Sequence, residues 1–352
     1  MMKTEIVKVE NNEIEKEGLK RAVQILRDGG LVAFPTETVY GLGGDALNKS
    51  AAGKIYGAKG RPSDNPLIVH IADLKALEDL TEYCPENGLK LANAFWPGPL
   101  TLIFKKSSIV PDSTTGGLDS VAIRMPSHPI ALELMKASGL YLAAPSANLS
   151  GRPSPTNAEH VIEDMFGVID MIIDGGKVDI GLESTIVDLT GSIPTVLRPG
   201  FITVEMLESI VGEVLIDQVV EARTADPNLV PKAPGMKYKH YAPKGDLTIY
   251  EGESEAVVRI INEAAKELVI KGHKVGIIAT SETCNQYPFG TVKIIGTRAD
   301  ETTIARGLFE VLRDFDTEGM DYIFAESFDS KRLGQAIMNR LLKAAGYHII
   351  KV

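Results

Sequence analysis

The sequence predicts an α/β protein with two domains. Its 352 residues exceed what one hydrophobic core of ordinary size accommodates, so two domains are the default expectation. Short apolar runs bounded by glycine or proline recur along the chain, and such runs are typical of buried strands. Segments with helical periodicity lie between many of these runs. This alternation is the pattern of sheets that are covered by helices.

The first 215 residues begin with a helix and a strand. Residues 15–28 carry apolar side chains at helical spacing, and two glycines at 29–30 end the helix. The apolar run 31–34 stops at Pro35 and is predicted to be a buried strand. Further helices are expected at 54–58, 73–80, 86–94 and 204–211, the last with Thr203 as its N-cap. Further strands are expected at 67–71, 100–104, 121–126, 140–144, 171–174, 184–188 and 195–200.

The composition changes after residue 215, where a stretch without periodicity separates the two predicted domains. Residues 216–245 contain several prolines and a cluster of lysine, tyrosine and histidine at 236–241. A connector of this length inside a compact protein is either disordered or functional. Its composition favours a lid that closes over a site.

Residues 246–352 return to a simple alternation of strands and helices, which indicates a smaller, doubly wound parallel sheet. The strands are expected at 247–250, 275–279, 292–295 and 322–326, and the helices at 254–270, 303–315 and 333–345. This part has no phosphate-binding loop, no metal-ligand spacing and no nucleophile elbow. We interpret it as an accessory domain.

Charge and cysteine usage argue against several classes of protein. The formal net charge of −10 makes tight binding of nucleic acid through its phosphates a poor expectation. Cys84 and Cys284 are far apart and form no CxxC pair, so neither a disulfide framework nor a zinc site is indicated. The N-terminal segment is too charged for a signal peptide, and no apolar run reaches membrane length. A cytoplasmic location is therefore expected.

The loop after the second predicted helix carries two cations on either side of a glycine, Lys59-Gly60-Arg61. Gly60 suits a helix C-terminus, and Pro62 and Pro66 prevent the helix from continuing. A stiff loop with two cations suits a phosphate or a carboxylate, and arginine can bind either group bidentately. The alternative is a solvated turn with two surface charges.

Two glycine patterns after the strand at 31–34 imitate nucleotide-binding motifs. Residues 41–46 fit GxGxxA, but residues 36–40 separate them from the strand, so the glycines do not form the strand-to-helix turn that this motif needs. The segment from Gly43 to Ser50 resembles a phosphate-binding loop, but Asn48 replaces the glycine before the lysine. We therefore assign neither motif.

Hydroxyl, amide and cationic residues follow the ends of the predicted strands between 31 and 200. They are Thr36, Lys59, Arg61, His70, Arg124, Ser146, Asn148, Ser184 and Arg198. Because α/β folds place ligands at strand ends, we expect these side chains to line a concave site for an anion. The sequence shows no triad, metal cluster or reactive cysteine. Catalysis by positioning is therefore expected rather than covalent catalysis.

For three side chains the residue pattern alone also allows a structural role instead of ligand binding. Arg124 lies within an apolar strand and either binds an anion or reaches solvent at a sheet edge. His70 ends an apolar strand, where a hydrogen-bonded core histidine is the commoner occupant. The single tryptophan, Trp96, is expected in the core rather than stacked on a base.

Several segments together match the signatures of one family. They are Phe34-Pro35-Thr36-Glu37-Thr38-Val39-Tyr40-Gly41-Leu42, Lys59-Gly60-Arg61, Trp96-Pro97-Gly98-Pro99-Leu100-Thr101, Ala144-Pro145-Ser146-Ala147-Asn148, Glu183-Ser184-Thr185 and Leu197-Arg198-Pro199-Gly200. With KxR at 59–61 and SxN at 146–148, the chain resembles the YrdC-domain family. The connector segment 234–241 and the C-terminal part extend the resemblance to the two-domain threonylcarbamoyl-AMP synthase type, over nearly the whole chain.

This resemblance implies a fold and a reaction. The fold is a twisted, open mixed sheet with helices over residues 1–215, with the site on its concave face, a connector or lid at 216–245 and a Rossmann-like accessory domain at 246–352. The reaction converts L-threonine, bicarbonate and ATP into threonylcarbamoyl-AMP and pyrophosphate, for the N6-threonylcarbamoyladenosine modification of tRNA. A downstream tRNA threonylcarbamoyl transferase complex is the implied partner. Tight binding of nucleic acid or of a membrane is not expected.

The resemblance also implies roles for individual residues. Threonine would be held by Thr36, His70, Arg124, Ala144 and Ser184, with Arg124 on its carboxylate. ATP would be held by Lys59, Ser63, Ser120, Ser146, Ser154 and Arg198, and by Tyr238 and His240 from the connector. The implied catalytic residues are Lys59, Arg61 and Asn148. Mg²⁺ is expected with the triphosphate, bound through phosphate oxygens and water rather than through dedicated carboxylates.

Two other functions remain open at this point. A concave basic cleft would suit an RNA-binding module, although the acidic balance disfavours it. A carbamoyl transferase of the hydrogenase-maturation type shares a YrdC-like domain. That protein also has cysteine-rich zinc modules, which two isolated cysteines cannot form.

Overall fold

The computed structural model describes residues 3–10, 13–221, 233, 240–329 and 331–352 of the chain. These residues form two sheets with helices packed against them, which confirms the predicted α/β class. No helix in these ranges is long and apolar enough to cross a membrane. Trp96 is buried and donates a hydrogen bond from Nε1 to the carbonyl of Leu100, so its predicted place in the core is confirmed.

The first sheet contains twelve strands and is mixed, as predicted. In chain order its strands are β1 (Glu5–Glu10), β2 (Glu13–Ile14), β3 (Val32–Phe34), β4 (Gly41–Asp45), β5 (Ile68–His70), β6 (Leu100–Lys105), β7 (Ser120–Arg124), β8 (Leu142–Ala143), β9 (Met171–Asp174), β10 (Thr185–Asp188), β11 (Thr195–Arg198) and β12 (Leu215–Ile216). The order across the sheet is β12-β11-β10-β6-β7-β5-β8-β4-β3-β9-β1-β2. The sheet contains parallel pairs such as β5 with β7 and antiparallel pairs such as β6 with β7.

The described residues of this first part form nine helices, and the end of α2 and the start of α8 lie where local sequence rules predict. They are α1 (Lys16–Arg27), α2 (Lys49–Lys59), α3 (Ala76–Leu80), α4 (Glu86–Phe95), α5 (Asp112–Thr115), α6 (Pro129–Ser138), α7 (Ala158–Met165), α8 (Val204–Val211) and α9 (Gln218–Glu221). Gly60 follows α2 with a φ of 59°, a left-handed conformation that glycine adopts without strain. Thr203 caps α8 by accepting a hydrogen bond from the backbone N–H of Met206.

The second sheet is parallel throughout and is covered on both faces. Its strands are β13 (Asp246–Glu251), β14 (Val275–Ala279), β15 (Thr291–Ile294), β16 (Tyr322–Glu326) and β17 (Ile349–Lys351), in the order β15-β14-β16-β13-β17. Helix α10 (Ser254–Ile270) packs on one face, and helices α11 (Glu301–Glu318) and α12 (Arg332–Ala344) pack on the other. The predicted doubly wound arrangement is therefore confirmed.

The face that carries α11 and α12 also packs against the first part of the chain. Val39 and Leu182 belong to the same buried cluster as Leu308 and Phe309 of α11. Strand β12 lies at the predicted domain boundary and pairs with β11 of the first sheet. The division into 1–215, 216–245 and 246–352 stays a prediction.

Several elements of the first sheet differ from the sequence prediction. The glycine-rich segment that forms β4 was not predicted as a strand. A Cβ on Gly43 would lie 2.7 Å from Cε1 of Phe34, so this glycine allows β3 and β4 to pack closely rather than to turn. Helices α6 and α7 and the strands β1 and β17 were not predicted.

Candidate active site

A polar pocket lies at the strand ends of the first sheet and brings many of the predicted site residues together. Its walls come from the loops after β3, α2 and β8, from strand β5, from the ends of β7 and β11, from the residues just before β10 and from the connector. The predicted residues that line it are Thr36, Arg61, His70, Arg124, Ala144, Ser146, Asn148, Ser154, Ser184, Arg198 and His240. Side chains that are far apart in the sequence thus face one space, as the pattern of polar strand ends predicts.

Of the predicted site residues that the structure describes, three are not among those that line this pocket. Lys59 is buried behind the pocket wall, at the end of α2. Ser63 is exposed in the loop that follows α2, and Ser120 is half-buried at the start of β7. Tyr238 lies outside the described residues.

Arg124 and Glu37 form a buried ion pair in the pocket wall. Nη2 of Arg124 lies 2.7 Å from Oε1 of Glu37, and both side chains are almost completely shielded from solvent. The contact is not a well-aligned hydrogen bond. Within the described residues, Arg124 Nη2 and both carboxylate oxygens of Glu37 have no hydrogen-bond partner. Buried charges with unused donors and acceptors are costly, and a ligand that uses them would offset that cost.

His70 lies beside Arg124 and is neutral. Its ring Nδ1 is 3.1 Å from the carbonyl oxygen of Ile68, which can only accept, so Nδ1 carries the proton. Burial, and then the positive charge of Arg124, lower the pKa of His70 to about 3. The residue is both a hydrogen-bonded core histidine and part of the pocket lining, so the two interpretations of its sequence position do not exclude each other.

Lys59 supports the backbone of the loop that carries Ser146 and Asn148. Its Nζ donates hydrogen bonds to the carbonyl oxygens of these two residues, at 2.5 Å and 2.6 Å. Burial, and then the charge of Arg61, hold the pKa of Lys59 well below its usual value. The lysine of the KxR signature is thus hydrogen-bonded to the backbone of the SxN signature, a link that the sequence alone did not reveal.

Arg61 and Arg198 bring positive charge into the pocket. Arg61 donates to the side chain of Asn65 at 2.7 Å, and Arg198 donates to the carbonyl of Ser184 at 3.1 Å and to its hydroxyl at 3.2 Å. Burial lowers the pKa of each arginine to about 10, so both remain charged at neutral pH. Two buried cations in one pocket favour an anionic ligand.

Hydroxyl and amide groups complete the pocket. Thr36 donates to the carbonyl of Val39 at 2.6 Å and shapes the turn after β3. The Asn148 amide donates to two carbonyls of its own loop, while its Oδ1 is buried and has no partner within the described residues. Ser154 donates to Oε1 of Glu183 at 2.5 Å. Asn148 thus retains an acceptor for a ligand, whereas Ser154 is already engaged.

His240 and Tyr241 reach the pocket from the connector. The ring of Tyr241 packs on Phe309 of α11 with centroids 5.0 Å apart, and Nε2 of His240 is buried without a partner in the described chain. Burial, and then the charge of Arg61, lower the pKa of His240 to about 3. The cavity measures about 60 Å³ and is partly open to solvent. Pockets for ligands the size of a nucleotide hold roughly 300–1,000 Å³, so a nucleotide would fill this cavity and extend beyond it.

Sequence reasoning assigned no role to Arg152, Glu183 and Tyr241, which line the pocket, or to Glu37, which pairs with the lining residue Arg124. Glu37 and Glu183 lie inside the family signatures, next to Thr36 and Ser184. A charged residue inside such an apolar and hydroxyl-rich motif is the signal that could have identified them. Arg152 binds Asp164 and Glu163 and had no comparable signal. The described residues contain no group of three or more His, Cys, Asp or Glu that could hold a metal.

Comparison with known proteins decides the family. The Sua5/YciO/YrdC family model, described as telomere recombination, matches residues 24–200, and the model for the C-terminal domain of threonylcarbamoyl-AMP synthase matches residues 202–346. The chain belongs to the Sua5/YciO/YrdC family. The resemblance inferred from the signatures is therefore confirmed.

Relatives of this Sua5/YciO/YrdC member cover its whole length. The threonylcarbamoyl-AMP synthase of Pyrococcus abyssi is 50% identical over 96% of this chain and 97% of the relative. That of Bacillus subtilis is 50% identical over 95% of this chain and 94% of the relative. A crystal structure of P. abyssi Sua5 complexed with L-threonine superposes with a TM-score of 0.93 and 49% identity, over 99% of this chain and 100% of the other.

Proposed function

We propose that this chain is a threonylcarbamoyl-AMP synthase, which converts L-threonine, bicarbonate and ATP into threonylcarbamoyl-AMP and pyrophosphate. The observation that carries the proposal is one pocket with two differently charged regions. One region is lined by Arg124, which is paired with Glu37, and the other is lined by Arg61 and Arg198. The near-full-length identity to enzymes of this name supports the same assignment.

The Arg124–Glu37 pair suits the zwitterion of an amino acid. The Arg124 guanidinium would bind the carboxylate of threonine, and the carboxylate of Glu37, which is ion-paired with Arg124 but accepts no hydrogen bond within the described residues, would accept hydrogen bonds from the threonine amine. Thr36, His70, Ala144 and Ser184 surround this region and would contact the rest of the molecule. The similar P. abyssi structure was solved with L-threonine, which supports this choice of ligand.

The region around Arg61 and Arg198 suits the phosphates of ATP. Both side chains remain cationic at neutral pH, and Ser146 adds a hydroxyl group. Ser154 and Asn148, whose protons are engaged within the protein, would offer acceptor oxygens to hydroxyl or amino groups of the nucleotide. Lys59 would act indirectly, by holding the backbone of the Ser146–Asn148 loop. Ser63 and Ser120 lie outside the pocket lining and would contact ATP only where it extends beyond the pocket.

The reaction needs positioned reactants rather than an enzyme nucleophile. The neutral amine of threonine and bicarbonate form a C–N bond and release water, which gives a carbamate. A carbamate oxygen then attacks the α-phosphorus of ATP, and the bond to the β-phosphate oxygen breaks as pyrophosphate leaves with its electron pair. Arg61 and Arg198 would neutralise the charge that develops on the phosphates, and enclosure would exclude water.

The remaining parts of the proposal concern a cation, a partner and a location. Mg²⁺, bound to the triphosphate through phosphate oxygens and water, would neutralise phosphate charge. The product would pass to a transferase complex that modifies adenosine in tRNA. A cytoplasmic location remains part of this proposal.

Pyrophosphate release tests the proposal. Purified protein is given ATP with threonine or bicarbonate alone, and then with both. We expect release only with both, and its loss in Arg61→Ala and Arg124→Ala. The matched control is Arg21→Ala, which removes an exposed arginine paired with Glu5 far from the pocket, and its activity should equal that of wild type. ATP turnover that is indifferent to threonine would refute the proposal.

A further inference from the structure

Arg340 reaches from the second part of the chain to the rear of the pocket. It lies on α12, and none of its side chain is exposed. Its Nε donates to Oε2 of Glu183 at 2.9 Å, its Nη2 donates to the Glu183 carbonyl at 3.2 Å, and its Nη1 donates to the carbonyl of Pro199 at 2.5 Å. The guanidinium fork is therefore fixed by a side chain and two backbone groups.

Glu183 links Arg340 to the pocket through hydrogen bonds. One carboxylate oxygen accepts from Arg340, and the other accepts from the hydroxyl of Ser154, which lines the nucleotide region. Burial by itself raises the pKa of Glu183, but the charges of Arg340 and Arg198 outweigh it and lower the pKa, so the carboxylate stays ionised at neutral pH. An ionised acceptor makes a stronger hydrogen bond than a neutral one.

We infer that Arg340 is a positioning residue for the nucleotide region, because it orients Glu183 and thereby Ser154. This inference rests on the proposed function and gives the accessory domain a role in it. Within the described residues, Arg340 makes no hydrogen bond to Arg124 or Glu37, which belong to the threonine region. Arg340 touches the threonine region only through the carbonyl of Glu183, next to Ser184, so the inference predicts a larger effect on ATP binding than on threonine binding.

The test compares ATP and threonine affinities in Arg340→Lys, which keeps the charge but loses the fork. We expect the Kd of Mg-ATP to rise about tenfold to a hundredfold, the loss typical of hydrogen bonds to charged groups. The Kd of threonine, measured without ATP, should change less than about twofold. Both values come from calorimetric titration, and the KM for ATP should rise more than kcat falls.

Two further variants separate positioning from general stability. Glu183→Gln removes the carboxylate charge, and adding Arg340→Met to it removes the partner charge as well, so no uncompensated charge stays buried. Since Arg340 acts through Glu183, the double variant should bind ATP within about twofold of Glu183→Gln alone. The control Glu310→Gln breaks a surface contact to Lys177, at 2.6 Å, that also joins the two parts of the chain. Its ATP affinity should be that of wild type.

Four results would overturn the inference. They are an unchanged Kd for ATP in Arg340→Lys, an equal loss of both affinities, a further tenfold loss in the double variant, and an ATP loss in Glu310→Gln as large as in Arg340→Lys. If Arg340→Lys does not fold, the ATP affinities of the double variant and of Glu183→Gln decide whether the inference holds. A wild-type protein that binds no ATP would refute the proposed function itself, whereas these results leave it intact.

Discussion

His70 and Arg124 lie directly opposite each other on the adjacent parallel strands β5 and β7. Only one of these two neighbours is charged, because burial and the arginine together keep the histidine neutral. The pair therefore presents a permanent cation beside a neutral ring. This arrangement suits a carboxylate at one end of a small ligand and an uncharged group at the other.

The first prediction concerns the pH dependence of threonine binding. With its pKa lowered to about 3, His70 does not change charge between pH 5 and 8. We expect the Kd of threonine, measured by calorimetry across this range, to follow the same pH profile in wild type and in His70→Asn, even if the affinity differs. An inflection near pH 6.5 that is present in wild type and absent from the variant would contradict this assignment.

The second prediction concerns the carboxylate contact. Arg124→Gln should weaken threonine binding by about 2–4 kcal/mol, roughly 30- to 1,000-fold, because it removes the cation and leaves Glu37 buried without its partner. Arg124→Lys keeps the charge but not the fork, so its loss should be smaller. Calorimetric titration with threonine in the absence of ATP measures the affinity of both variants. Equal affinities in wild type and Arg124→Gln would show that the carboxylate binds elsewhere.

The third prediction concerns stability in acid. Burial, and then the charge of Arg313, lower the pKa of His160 to about 3, and its Nδ1 accepts a hydrogen bond from the backbone N–H of Thr156. Between about pH 3 and 6.5 the unfolded chain binds a proton that the folded chain does not, so this contribution to stability is lost as the pH falls. His160→Gln should lessen the fall in melting temperature from pH 6.5 to 4.5. From pH 7 to 8, where both states are neutral, the two proteins should show the same slope.

Apolar runs and their glycine or proline ends were enough to predict most strands and the polar loops after them. They could not predict the partners of those loops, because the partners are distant in sequence. Lys59 was expected to face the ligand, yet its Nζ binds carbonyl groups 87 and 89 residues away. Arg340 binds Glu183 across 157 residues, and no local pattern predicts such a contact.

Strand β4 was missed for a different reason. Glycines in sequence normally indicate turns, but in β4 they permit a tight fit against the ring of Phe34. The need for glycine at these positions comes from the packing of β4 against β3. A sequence pattern cannot predict that contact before the two strands are known to be neighbours. The same limitation explains why Glu37, although part of a recognised signature, was not assigned as the partner of Arg124.

The fourth prediction uses two glycines with opposite surroundings. A Cβ on Gly200 would lie 2.5 Å from the backbone nitrogen of Thr185, and backbone cannot move aside cheaply. Gly200→Ala should therefore displace the neighbouring Ser184, cost about 1–3 kcal/mol of stability and reduce activity at least about tenfold. Gly57 lies inside α2 with nothing within 4 Å of its added Cβ, so Gly57→Ala should stabilise the protein by about 1 kcal/mol.

Melting temperature and pyrophosphate release measured together distinguish the two glycine variants. The Gly57→Ala variant should retain full activity, since its side chain faces open space away from the pocket. A Gly200→Ala variant with unchanged activity would mean that the ends of β10 and β11 tolerate displacement. The close fit at Gly200 would then have no bearing on the site.

The fifth prediction concerns Tyr241 as the anchor of the connector. Its ring packs on Phe309, its hydroxyl lies near Glu183, and its φ of 63° is one that non-glycine residues rarely adopt. Side-chain packing therefore holds a backbone conformation that is unfavourable on its own, and loss of the ring should release the connector. Tyr241→Ala should speed dissociation of a fluorescent ATP analogue by roughly tenfold or more in stopped flow, while Tyr241→Phe, which keeps the ring, should stay within about threefold of wild type. Equal dissociation rates in all three proteins would mean that the connector does not retain the nucleotide.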